Sequence, residues 1–160
     1  MDLSKLRTAD WIIGVAGILF IINLFLPWAS ASFGFSGPSG GGFSVTATAN
    51  GVSSPGAVWG ILALIVAVIM VVQVVMARLT SAKMPELGGV TWGQVHLVGG
   101  IAVVVLAVLK LIAVRHYIGW ATWVGIVLGA ILTYGGVVMS RLPAEPAGGS
   151  TAMPGSQPTA

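Results

Sequence analysis

The sequence predicts an all-α membrane protein: a four-helix transmembrane bundle whose first loop is long enough to carry a small extracytoplasmic β-hairpin. Three observations predict it. Of 160 residues, 56% are hydrophobic and 7% charged, against about a quarter charged in a soluble domain, and the mean hydropathy is +1.00. Four uninterrupted apolar runs stand out, at 11–28, 57–77, 95–114 and 118–139. The breaks between them are helix-ending residues: Pro27, then Pro55 with Gly56, then Pro85 with Gly88 and Gly89, and finally Pro143.

Each run is long enough to span. A hydrocarbon core of about 30 Å takes roughly 20 helical residues at about 1.5 Å each. Lipid offers the backbone no hydrogen-bond partner, so these runs are helices despite their Val and Ile content. Residues 1–142 therefore read as one four-span membrane domain. Residues 143–160 are dominated by Pro, Gly, Ala, Ser and Thr around one acid, Glu145, a composition that supports no packed core and reads as a disordered cytoplasmic tail.

Orientation follows from the basic residues. Lys5, Arg7, Arg78, Lys83 and Arg141 fall on one side of the membrane, and Lys110 and Arg115 on the other. The excess puts both termini and the middle connection in the cytoplasm. The tryptophans fit that frame as interfacial anchors, Trp11 and Trp92 at inner helix ends and Trp28, Trp59, Trp120 and Trp123 at or near outer ones. A second reading of the N-terminus exists, because Lys5 and Arg7, an apolar stretch, Pro27 and then Ala29-Ser30-Ala31 resemble a cleavable signal peptide, which would leave three spans. The length of the run and its bracketing by Trp11 and Trp28 favour a retained anchor.

The external loop, 29–55, contains no charged residue. In it Phe43, Val45, Ala47 and Ala49 alternate with Ser44, Thr46 and Thr48, and Phe33 and Phe35 supply a shorter matching stretch across the turn-rich segment 37–42. Period-two alternation predicts a β-hairpin lying over the outer helix ends. A flexible Gly and Ser linker is the competing reading, since two strands alone are marginally stable in water. Loops this long between adjacent helices tend to be functional or disordered.

Small residues mark packing faces. Gly56 and Gly60 form a G-x-x-x-G at the start of the second run, and Ala121, Gly125, Gly129 and Thr133 recur every four residues in the fourth. Such stripes let helix backbones approach closely, within the bundle or against another protein. Polar residues in the spans are few: Asn23, Gln73, Gln94, His96 and Lys110. Lys110 can snorkel to the outer headgroups, or it can join Arg115, His116 and Tyr117 in contacting an anionic headgroup or ligand. The two histidines, 20 residues or about 30 Å apart on one helix, cannot share one metal or haem and read as interfacial.

Several chemistries are excluded. A net charge of +3 and a pI near 9.8 come without the clustered basic face that nucleic acid requires. With no cysteine, thiolate chemistry and disulfides are excluded. The acids, Asp2, Asp10, Glu86 and Glu145, all fall near the cytoplasmic side, whereas a proton-coupled transporter needs a buried ionisable residue. No H-E-x-x-H, phosphate loop, G-x-G-x-x-G or nucleophile with His and acid occurs. No catalytic residue, metal ligand or cofactor is therefore expected.

The first run ends Leu24-Phe25-Leu26-Pro27-Trp28 after a short basic N-terminus, and the second begins Gly56-Ala57-Val58-Trp59-Gly60. With Ala, Val and Gly dominating the spans, the chain resembles the uncharacterised small four-helix integral membrane proteins of actinobacteria. The resemblance covers most of the helical region and implies a plasma-membrane location; it implies no catalytic or binding residue. The expectation is a non-enzymatic multi-pass protein, an accessory, assembly or envelope-associated subunit whose partners are the lipid bilayer and other membrane proteins or further copies of itself. The competing expectation is a lipid or small-solute binder or transporter with a cavity between its helices, contacted by Asn23, Gln73, Lys110, Arg115 and His116.

Overall fold

A computed structural model describes residues 7–37, 40–79 and 89–141, with Arg78 and Leu79 in backbone only. The tail at 143–160, and Lys5 and Lys83 of the orientation argument, lie outside the described residues. The elements run α1 (Thr8–Asn23), β1 (Pro27–Ser36), β2 (Gly42–Asn50), α2 (Ala57–Leu79), α3 (Trp92–Ala113) and α4 (Trp120–Arg141). Three helices are long and apolar enough to cross a membrane: α2 over Ala57–Ala77, α3, and α4.

The first helix corrects the expected span of 11–28. It has 16 residues, about 24 Å at about 1.5 Å per residue, and its end is local chemistry. After Asn23 the hydrogen bonds tighten to three-residue spacing, Phe25 N–H to Ile22 O and Leu26 N–H to Asn23 O, both 3.0 Å. Pro27 then has no N–H to continue with. The apolar run continues beyond the helix because Leu24 and Trp28 are core residues, fully buried although neither is helical.

The predicted hairpin is present. β1 and β2 pair antiparallel, with Phe33 opposite Val45, Phe35 opposite Phe43 and Ala31 opposite Ala47. Alternation puts these residues on one face and Ser30, Ser32, Thr46 and Thr48 on the other. Phe35 and Phe43 stack with ring centroids 4.9 Å apart, while Ser32 Oγ and Thr46 Oγ1 share a hydrogen bond of 3.1 Å. The hairpin does not lie over the helix ends: it is exposed from Ser32 outward on β1 and up to Thr48 on β2, so it projects from them.

Each helix packs against two others, α1 on α2 and α4, and α3 on α2 and α4. Ile13, Phe20, Ala67, Val103 and Leu132 fill the space between them, while Ile18, Val68, Ile101 and Val127 face outward. A Thr91 and Gln94 capping box starts α3: Gln94 N–H donates to Thr91 Oγ1 (3.3 Å), and Thr91 N–H to Gln94 Oε1 (3.0 Å).

Glycines set the closest approach of helix to helix, Gly100 meeting Thr133 of the expected stripe. A Cβ on Gly100 would lie 2.6 Å from Thr133 Cα, and one on Gly136 would lie 2.7 Å from Leu97 Cα. These are backbone-to-backbone contacts that no rotamer relieves. Gly129 meets side chains first, Val104 Cγ2 at 3.1 Å being nearest, with the Val104 backbone at an ordinary 3.6 Å. Gly100→Ala should therefore destabilise the protein by about 2–3 kcal/mol. Gly129→Ala should stay within about 1 kcal/mol of the parent, because better helix propensity offsets mild crowding. Reversible unfolding in mixed detergent micelles compares them, and equal losses would contradict the packing described.

Candidate functional site

Polar side chains are buried at both ends of the helices. The hairpin end holds Asn23, Lys110 and Thr122, and the far end Asp10, Gln73 and His96. Phe20, Ala67, Val103 and Leu132 separate the two layers as an apolar plug.

The hairpin root is tied to the helices by a set of hydrogen bonds. Ala29 pairs with Ile118 as an isolated bridge, flanked by Ser30 N–H to Tyr117 O (2.7 Å) and Gly119 N–H to Trp28 O (2.8 Å). The turn between α3 and α4 is thus fastened to the start of β1. Thr122 Oγ1 donates to the same Trp28 carbonyl at 2.7 Å. Trp28 Nε1–H donates to Asn23 O at 2.9 Å, and Gly51 N–H closes the other strand onto Leu24 O at 2.7 Å.

Two expected packing glycines belong to this root. Gly56 precedes α2, has a φ of 72° and faces Ala113 of α3. Gly60 lies against the backbone of Gly51, so the G-x-x-x-G of the second run admits the end of the hairpin as well as a helix. In α4, Ala121 is buried and Gly125 receives the Trp28 ring, with Asn23 Oδ1 2.8 Å from where its Cβ would be. Thr133 turns its hydroxyl back to Gly129 O at 3.0 Å.

Lys110 corrects both of its expected roles. It is 1% exposed, and its ammonium donates to Ser53 O at 2.5 Å and Pro55 O at 2.6 Å. It neither snorkels nor joins the outer cations. Its long apolar stem passes Gly56, and its charged head ties α3 to the segment leading into α2. Arg115, His116 and Tyr117 are exposed; Arg115 Nε–H donates to His116 Nε2 at 3.1 Å, and the His116 and Tyr117 rings meet edge-on. These three residues remain together as a surface cluster without Lys110.

Among the tryptophans, Trp11, Trp120 and Trp123 are exposed as anchors would be, and Trp59 and Trp92 are half-buried. Trp28 is fully buried and serves as a core residue instead of an interfacial one. His96 is likewise buried where an interfacial residue was expected. A signal for both His96 and Lys110 was in the sequence: Gly93, His96, Gly100, Val103, Ala107 and Lys110, the buried face of α3, recur at alternating spacings of three and four. No protein-family model matches the chain, and no curated protein or solved structure does either.

Proposed function

We propose that the chain is a non-enzymatic multi-pass protein of the bacterial plasma membrane, an accessory, assembly or envelope-associated subunit that meets its partner through the hairpin. The observation that carries this reading is the hairpin itself. One face is apolar, its aromatic residues Phe33, Phe35 and Phe43 more than half exposed, and it contains no charge. A lone two-stranded ribbon is marginal in water, and exposed apolar patches mark interaction sites. The backbone bonds to the turn between α3 and α4 hold this face in a fixed pose at the helix ends.

In this reading α1 and Leu24–Leu26 complete a fourth span, both termini are cytoplasmic, and the hairpin is external. The Lys and Arg distribution supports that orientation, and the Leu24-Phe25-Leu26-Pro27-Trp28 sequence closing the first apolar run supports kinship with the small actinobacterial four-helix proteins. A photo-crosslinking residue placed at Phe35 or Phe43 in native membranes should capture one defined protein partner. The same residue at Ser44, on the polar face, should capture much less. Equal capture from both faces, or crosslinks to lipid alone, would refute the proposal.

A second reading, lipid binding, has one observation in its favour. A groove of about 290 Å³ between α3 and α4 is lined by Ile101, Val104, Val105, Ala130 and Thr133. Its lining suits an acyl chain. Enrichment of one lipid with the purified protein, lost on filling the groove by Ala130→Leu, would favour this reading.

A further inference from the structure

His96 and Gln73 lie on helices that pack together, and each has a buried side-chain atom with no hydrogen-bond partner among the described residues. Their alignment follows from two contacts. Gly56 stands beside Ala113, its Cβ position 2.6 Å from the Ala113 Cβ, and Gly99 stands beside Met70, with Sδ 3.0 Å from its Cβ position. The two contacts are fourteen residues apart on each chain segment and run in opposite directions, so α2 and α3 are antiparallel and in step. Three residues beyond Met70 is Gln73, and three residues before Gly99 is His96. The two therefore fall level with each other, almost one helical turn past the Gly99 and Met70 contact.

Both side chains are more than nine-tenths buried, His96 at 1% exposed and Gln73 at 8%. His96 Nδ1 is 2.9 Å from Trp92 O. A carbonyl only accepts, so Nδ1 carries a hydrogen, and in the Nδ1–H tautomer Nε2 is the acceptor of the ring. His96 Nε2 and Gln73 Oε1 are both buried without a hydrogen-bond partner, and two acceptors cannot satisfy each other. Among the described residues, Gly136 of α4 lies against Leu97 and His96, and Ile13 of α1 against Gly135. Asp10, the titratable group nearest in sequence to Ile13, is one turn farther toward the far end and accepts from Arg7 N–H at 2.9 Å.

We propose that His96 Nε2 and Gln73 Oε1 together bind one small hydrogen-bond donor carrying at least two hydrogens, a water molecule or an ammonium ion, between α2 and α3. Such a guest donates one hydrogen to each acceptor. It removes a desolvation cost of the kind that keeps unpaired buried polar groups rare. The site lies beyond the apolar plug from the hairpin and is independent of any partner held there.

The chain has two histidines, and His116 is exposed, which makes it an internal control. The full chain, labelled with ¹⁵N-histidine and reconstituted in lipid, is measured by water-edited solid-state NMR, with and without ammonium chloride and with choline chloride as the ionic control. Polarisation should pass from water to the His96 ring as it does to His116, and Gln73→Leu should abolish it for His96 only. A saturable shift of His96 with ammonium but not choline identifies the cation as the guest, and transfer unaffected by ammonium identifies water. A dry His96 ring with no ammonium response, as a direct bond from the Gln73 amide NH₂ to Nε2 would produce, overturns the proposal. So does transfer that persists in a folded Gln73→Leu protein, because the guest would then not be shared.

Discussion

Gly60→Ala should destabilise the protein severely. The added methyl would coincide with the carbonyl oxygen of Gly51 and lie 2.7 Å from its carbon. Both are backbone atoms, so neither side chain nor rotamer can yield. The only relief is to part α2 from the end of β2, which breaks the Gly51 N–H to Leu24 O bond and draws Ser53 and Pro55 away from Lys110. The loss should exceed about 4 kcal/mol, the range of exceptional single substitutions, against a total stability of about 5–15 kcal/mol for a typical domain. Gly14→Ala is the control. Nothing lies within 4 Å of the Gly14 Cβ position, so its methyl should be neutral or stabilising by up to about 1 kcal/mol. Monodispersity and unfolding midpoints in detergent read both; a Gly60→Ala protein as stable as the parent would show that the loop does not pack on α2 as described.

Trp28→Ala should come next, at about 3–5 kcal/mol. The ring is fully buried, fills the space over Gly125 and holds Asn23 O through its indole N–H. Truncation leaves a cavity and removes one of the two hydrogen bonds that Asn23 O accepts, the other coming from Leu26 N–H. Trp28→Phe should recover most of the packing and lose chiefly the hydrogen bond, worth about 1 kcal/mol. Added indole should partly restore Trp28→Ala, as small aromatic guests enter apolar cavities. A Trp28→Ala protein with an unchanged midpoint would mean that the hairpin root contributes nothing to the packing of the helices.

The elements of this fold were legible where a pattern is periodic. Alternation at Phe43, Val45 and Ala47 matched to Phe33 and Phe35 points to a hairpin and to its apolar face, because the pleat ties sequence parity to face; the register is set by the turn and was not legible. Apolar runs give α2, α3 and α4 to within a few residues. The end of α1 was hidden because Leu24 and Trp28 stay apolar for a reason other than spanning: they are core in a non-helical conformation. The glycine stripe of α4 was visible, but its partners were not, since Gly125 receives a tryptophan from a strand and Gly129 a valine. Lys110 was misplaced by proximity in sequence to Arg115. The phase of the helix decides its environment, and the alternating three and four spacing from Gly93 puts Lys110 and His96 on the inner face.

The order of the chain gives the hairpin root a biosynthetic consequence. Trp28 is translated early, yet Thr122, whose hydroxyl bonds its carbonyl, follows 94 positions later, and Ile118 and Gly119 are made only shortly before. At about 5–20 residues per second, the ribbon waits about 5–20 s for the turn that seats it. Throughout that interval an uncharged, phenylalanine-bearing ribbon and an unsheathed indole are open to insertase and chaperone. The nascent chain is most exposed to misassembly before its last helix emerges.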